Sequence, residues 1–329
     1  SRAKPYLLAM GDSTLALDNN SVSHNGTTVQ QNSWMPCIKN GYMSLSSALG
    51  GTINCGRSGG DVVTLYVYGD IEKLLLNVRP GDYVSVNIGI NNNKSYTIAG
   101  QSVASSGSLG AMGPILETYV IDAVKARGGI PFITTITPQG PTATETADSN
   151  SEYFSAAVTL TADTHKDATG ITYYTYMYDN NYYAGSNLFG NDYDLFDKNY
   201  RGTKAYYAGK EYAVGDVVPA HTWHNSRHAS PYNIALIDIA NYYQQKYGSF
   251  DIVDLGVYGE NYLNDSANSL NTDDAFVKVR DVYYTDNHHY QKTWGVILAD
   301  YMQECVEKMI AGTYEYPYDN YAPNFRYVP

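Results

Sequence analysis

Three side chains in this sequence have the types needed for nucleophilic acyl transfer. Ser13 stands in Gly11-Asp12-Ser13-Thr14, directly after the apolar run Tyr6-Leu7-Leu8-Ala9-Met10. Asp286 and His289 stand in Asp286-Asn287-His288-His289, near the opposite end. A serine hydroxyl is a poor nucleophile until a neutral imidazole takes its proton, and a carboxylate must hold that imidazole in the right tautomer. The two segments supply one of each group. They can act together only if folding joins the beginning of the chain to its late histidine loop.

The elements that must do this alternate between strand and helix. Pro5–Met10, Thr52–Cys55, Tyr83–Ile88 and Ile130–Ile136 read as strands. Helices are expected from Asn32 or Ser33 to about Ser47, from about Gly60 to about Asn77, and over Ala111–Arg127, the last stopped by Gly128-Gly129. After an irregular stretch the alternation resumes. A helix is expected over Pro231–Tyr247, a strand over Phe250–Leu255 and a helix from about Tyr290 to Ile310. Repeated strand–helix units imply a mainly parallel sheet with helices on both faces. Ligands of such sheets bind at the carboxyl ends of the strands. The segments after the first three strands, and the Asp286 segment read as opening the last helix, would meet there.

Two further segments fall at strand ends: Asn54-Cys55-Gly56-Arg57-Ser58, and Asn87-Ile88-Gly89-Ile90-Asn91-Asn92. Gly56-Arg57-Ser58-Gly59-Gly60 also fits the Gly-x-Ser-x-Gly pattern of a nucleophile elbow, which makes Ser58 a rival to Ser13. No separate Asp and His pair stands out to serve Ser58, so Ser13 is preferred. The Asp-x-x-His spacing selects His289 over its neighbour His288, which is expected to line the site. His221, His224 and His228 have a spacing that would suit a metal on a helix, but Pro219 and the loop-like residues around them favour a surface or cleft cluster with no metal.

Taken together these segments resemble the SGNH, or GDSL-type, hydrolase superfamily, and most closely the rhamnogalacturonan acetylesterase-like carbohydrate esterases. The likeness rests on Gly-Asp-Ser-Thr at 11–14, Gly-Arg-Ser at 56–58, Pro-Gly-Asp-Tyr-Val at 80–84 and Asp-x-x-His at 286–289. It covers about residues 5–140 and 226–312. It implies a three-layer α/β/α, flavodoxin-like SGNH-hydrolase fold with a mainly parallel central sheet and a Tyr-rich insertion. It also implies that Ser13 is the nucleophile, His289 the base and Asp286 its orienting carboxylate. The oxyanion would be held by the backbone N–H groups of Ser13 and Gly56 and by the side-chain amide of Asn91. No cofactor is implied. The implied substrate is an acetylated plant cell-wall polysaccharide, pectic rhamnogalacturonan or a hemicellulose such as xylan or mannan. Lipase-like or aryl esterases, and a non-catalytic glycan binder on the same scaffold, are the alternatives. The third motif departs from the family, with Ile90 and Asn92 at positions usually held by other residues, but it keeps Asn91.

Composition narrows the partners. Of 329 residues 34 are tyrosine, and the formal net charge is −12, which disfavours nucleic acid because binding its phosphates needs Lys and Arg. No run of about 18 apolar residues suggests a membrane span. A secreted or cell-surface location follows from the resemblance alone. Cys37, Cys55 and Cys305 fit no zinc or disulfide framework and are expected to be buried thiols. The chain is read as one domain over 1–329, with an insertion at about 141–225 and an extended tail at about 313–329. The insertion carries twelve tyrosines and is expected to form short hairpins. Trp223, at its end, is expected to be a cleft aromatic that binds substrate.

Overall fold

A computed structural model describes residues 2–91, 96–98, 101–103, 113, 115–150, 152–159, 161–166, 172–177, 205–207, 210–212, 215–223 and 231–318. Its centre is a parallel sheet of β1 (Tyr6–Gly11), β4 (Gly51–Gly56), β5 (Tyr83–Asn87), β6 (Ile130–Thr134) and β7 (Ile252–Val253). In space these lie in the order β7-β6-β5-β1-β4, with every pairing parallel. Numbered by their own succession the five strands run 2-1-3-4-5, the flavodoxin-like order, whose reversal of direction opens a crevice beside the first strand. Gly11 stands level with Gly56 on one side and Asn87 on the other. The three loops singled out from the sequence therefore leave the sheet side by side.

Side-chain alternation along β1 divides the core into two layers. Leu8 and Met10 pack with Val84, Val86 and Ile133 against α3 (Val62–Val67), α4 (Asp70–Asn77), the helical stretch Leu116–Ile121, α5 (Asp122–Ala126) and α6 (Pro231–Tyr247). Leu7 and Ala9 pack with Phe132 against α2 (Trp34–Lys39), α7 (Leu255–Asn264), α8 (Asp273–Lys278) and α9 (Lys292–Ala311). The expected three layers are present. The Pro80-Gly81-Asp82 turn has a structural purpose. Asp82 is fully buried and accepts hydrogen bonds from Tyr6 N, Arg79 N and Arg2 Nε. It ties the start of β1 to the start of β5.

Several boundaries differ from the sequence reading. The helix expected over 60–77 is two helices, because Gly69 takes a left-handed φ of 80° between them. The helix expected to reach Ser47 stops at Lys39, before Gly41 with a φ of 72°. Residues 18–32, not assigned any element above, form a hairpin of β2 (Asp18–His24) and β3 (Thr27–Asn32). Its Asn25-Gly26 turn has positive φ at both positions, 50° and 74°. Asn-Gly is the strongest short-range hairpin signal, and it was there to be read. The Asp286 motif does not open the last helix; it lies in the loop before Lys292.

In the insertion, Thr161–Lys166 pairs antiparallel with Thr172–Met177, and Ala205–Tyr207 with Lys210–Tyr212, so short hairpins are present as expected. The described part of the tail is anchored: the Tyr316 hydroxyl donates to Asp254 Oδ2 at 2.7 Å and that of Tyr314 to the Ile252 carbonyl. All three cysteines are buried free thiols, and burial pushes those of Cys55 and Cys305 up to about 11. Among the described residues no helix is long and apolar enough to cross a membrane.

Gly295 offers a test of the packing of α9 on α2. Alanine normally favours a helix over glycine by about 1 kcal/mol. Here a Cβ would lie 2.7 Å from Cys37 Sγ and 2.8 Å from the Asn32 carbonyl oxygen. We expect Gly295→Ala to destabilise the protein by ~1–3 kcal/mol in denaturant unfolding, against the sign that helix propensity gives.

Candidate active site

Ser13 is the first residue of a single helical turn, α1 (Ser13–Ala16), that begins two residues after the end of β1. Asp12 caps that turn. Its Oδ1 accepts from Thr14 N at 2.9 Å and from the Thr14 hydroxyl at 2.7 Å. Gly11 is required because a Cβ there would stand 2.3 Å from the Asn87 carbonyl oxygen. The Ser33 hydroxyl donates to the Ser13 carbonyl at 2.8 Å, fixing the turn from the side. The Ser13 N–H points out of the first turn and donates to no other described residue.

The late loop reaches this turn through its backbone as well as its side chains. Asn32 N donates to the Tyr290 carbonyl at 2.9 Å, and the buried Tyr290 hydroxyl donates to the Thr14 carbonyl at 2.8 Å. The Asp286 Oδ1 accepts from His288 N at 2.8 Å and His289 N at 2.7 Å, closing the loop on itself. Asp286 Oδ2 lies 2.7 Å from His289 Nδ1, and His289 Nε2 lies 2.8 Å from Ser13 Oγ. An ionised carboxylate only accepts, so Nδ1 carries the proton and Nε2 presents its lone pair to the serine hydroxyl. Burial pushes the Asp286 carboxyl up, but the His289 ring and the two backbone donors outweigh it and lower the group to about 2. It is an anion at any pH near neutrality.

The remaining sequence assignments divide. Gly56 does not turn its N–H toward Ser13. The N–H of the next residue, Arg57, donates to the Gly11 carbonyl at 2.9 Å, so that of Gly56 faces the open edge of the sheet, where Asn54 Oδ1 accepts it at 2.8 Å. What the fold uses at Gly56 is its missing side chain: a Cβ would stand 3.1 Å from Ala16 N and 3.2 Å from Leu15 Cβ, on the turn that carries Ser13. Asn54 completes the join by donating its Nδ2 to the Leu15 carbonyl at 2.8 Å. Asn91 lies on the turn after β5, half-buried, and hydrogen-bonds to no other described residue. Asn92 lies outside the described residues.

Trp223 is not a cleft aromatic. It is 1% exposed, stacks on Phe276 with ring centres 5.4 Å apart, and donates its Nε1–H to the Leu270 carbonyl at 2.7 Å. A residue packed this way holds the insertion to α8 and has no face left for a ligand. Ser58 is exposed and hydrogen-bonds to no described residue, whereas Ser13 has an imidazole on its hydroxyl. His288 is half-buried beside His289, its ring nearly perpendicular to it. His221 pairs with Asp273 and Tyr153; His224 and His228 lie outside the described residues, and no cluster with metal-ligand composition occurs among the described ones. Sequence reasoning missed Ser33, Asn54 and Tyr290. Nothing in their local pattern marks them, since each acts on a turn remote in sequence.

No family model and no curated protein matches the chain. Among solved structures it is similar to a Bacillus subtilis protein at 16% identity and a TM-score of 0.50, over 94% of this chain and 58% of that protein's length. An acetylxylan esterase from Geobacillus stearothermophilus is 17% identical, with a TM-score of 0.30 over 43% of this chain and 64% of the esterase. With its 2-1-3-4-5 parallel sheet and helices on both faces, the chain has a three-layer α/β architecture with the flavodoxin-like strand order.

Proposed function

We propose that this protein is a serine esterase that removes O-acetyl groups from a cell-wall polysaccharide and acts outside the cell. The observation that carries the reading is the unbroken chain Ser13 Oγ–His289–Asp286, with links of 2.8 and 2.7 Å, assembled from the two ends of the sequence. Ser13 Oγ attacks the acetyl carbonyl carbon while its proton passes to His289 Nε2. The Asp286 carboxylate stabilises the imidazolium that forms. The tetrahedral oxyanion faces the free Ser13 N–H and the Asn91 amide. Collapse breaks the ester C–O bond, and the imidazolium returns its proton to the departing sugar oxygen. Water then attacks the acetyl-enzyme by the same route and releases acetate. The choice of a sugar ester rests on the resemblance at Gly56-Arg57-Ser58 and Pro80–Val84.

The deciding experiment measures acetate release from acetylated xylan, mannan and rhamnogalacturonan, with a long-chain fatty ester as control. Release from a polysaccharide, abolished in Ser13→Ala and retained in Ser58→Ala, is the expected result. Cleavage of the fatty ester alone would refute the carbohydrate reading.

Asp286→Asn keeps the shape but favours the wrong tautomer of His289; kcat should fall by roughly three to four orders of magnitude with KM little changed. The depressed carboxyl also sets a stability window. Its contribution is present above 3.8, the ordinary value of the group, and is lost as the pH falls through about 2. Acid unfolding curves of wild type and Asp286→Asn should therefore converge over that range and differ above it.

Asn91→Ala should lower kcat by about 100- to 1000-fold if its amide meets the oxyanion, with substrate affinity nearly unaffected. Unaltered turnover would leave Ser13 N–H as the oxyanion donor this site needs.

A further inference from the structure

The hairpin of β2 and β3 ends at a buried histidine that the proposed reaction does not use. His24 is 3% exposed. Its Nδ1 lies 2.9 Å from the Thr285 carbonyl oxygen and its Nε2 lies 3.1 Å from Asp281 Oδ1. Both partners are acceptors. The Thr285 carbonyl has no proton to give. The Asp281 carboxyl is held below its ordinary range, chiefly by the Arg280 guanidinium, which donates to both of its oxygens at 2.8 and 2.9 Å. A neutral imidazole has one N–H and would leave one of these contacts as two lone pairs facing each other, on a ring that is itself buried although Asp281 is a third exposed. Only the imidazolium satisfies both. The contrast with His289 is direct: there one ring nitrogen faces a carboxylate and the other a hydroxyl, and the neutral ring fits.

The Thr285 carbonyl belongs to the peptide unit that leads into Asp286. Thr285 is itself tied to the far side of the loop, its N–H donating to the His289 carbonyl at 2.9 Å. Its hydroxyl accepts from Gln31 Nε2 at 2.8 Å, from the same hairpin. Asn25, at the hairpin turn, donates to Asp281 Oδ1 at 3.1 Å. The hairpin thus grips the base of the loop that carries Asp286 and His289. Asp281 is the charged side chain that pairs with His24 among the described residues, and Arg280 pairs in turn with that carboxylate.

We propose that His24 is a positioning residue, present as an imidazolium with one N–H on the Thr285 carbonyl and the other on Asp281, that sets the height of the Asp286–His289 loop above Ser13. This rests on the reading of Ser13, His289 and Asp286 as the reacting set. The part that concerns the protonation of His24 is independent of that reading.

Two measurements test it. Ring ¹⁵N NMR of the wild-type protein near neutral pH, with His24→Gln to assign the signal, should show both His24 nitrogens protonated. A nitrogen with a free lone pair at His24 overturns the proposal without reference to activity. His24→Ala should lower turnover per titratable Ser13 by ~10- to 100-fold at an unchanged KM, because a misplaced base loses attack geometry and not substrate binding. It should also shift or broaden the low-field Nδ1 proton of His289, a readout that survives even if the substrate class is wrong. His24→Gln, which keeps one donor, should fall between wild type and alanine in both. Per-site turnover and a His289 proton signal equal to wild type in His24→Ala would show that the hairpin does not position the loop. Should wild type hydrolyse no ester, the esterase reading fails, and the two NMR readouts still decide the role of His24.

Discussion

The hydrogen bond between His289 Nε2 and Ser13 Oγ is the constraint on which the rest depends, and it is also among the weakest links in the site. One such bond contributes about 1 kcal/mol net. It cannot by itself hold together two segments from opposite ends of the chain. The work is done beneath it. Tyr290 is 2% exposed and bonds Thr14, its carbonyl is bonded by Asn32, and Trp34 and Trp294 are fully buried in the layer where α9 packs on α2. Burial of large apolar side chains, worth roughly 1.5–3 kcal/mol each, sets the distance at which the weak bond then forms. This is preorganisation in its plain sense: the geometry is fixed before any substrate arrives.

Close backbone approach is the second requirement, and glycine meets it. Gly11 lets β1 approach the Asn87 backbone of β5 closely, and Gly56 lets the Ser13 turn rest on the edge strand. The motif around Gly56 therefore serves a steric end, and Asn54 takes up the N–H that would otherwise face open solvent at the sheet edge. Charge is handled with the same economy. Asp12, Asp82 and Asp286 each accept two or more hydrogen bonds, and for Asp286 these hold the carboxyl below its ordinary value against the opposing pull of burial.

Much of this could be read from residue order. The strands of the sheet are short apolar runs bounded by turn residues, and all five were placed to within a few residues. Ser13, Asp286 and His289 were legible because acyl transfer demands three particular side-chain types. The failures have physical causes. Gly69 ends a helix by adopting a positive φ that no periodicity reveals. The β2–β3 hairpin is polar on both faces, so alternation gave no signal and only its Asn-Gly turn betrayed it. Trp223 looked like a ligand aromatic because it sits among histidines in sequence, but a side chain's exposure depends on what packs over it, and Phe276 and Tyr153 do.

The sequence alone determined the layered α/β class and the parallel sheet, and singled out Ser13, Asp286 and His289, since these follow from local patterning and from which side chains can do acyl transfer. Only the tertiary structure decided the direction in which each group faces. Backbone alternation in β4 sends the Gly56 N–H to the sheet edge. The fold sets the His24 ring between a carbonyl and a carboxylate, and the His289 ring between a carboxylate and a hydroxyl. Orientation and protonation are set by neighbours distant in sequence, and no local pattern encodes them.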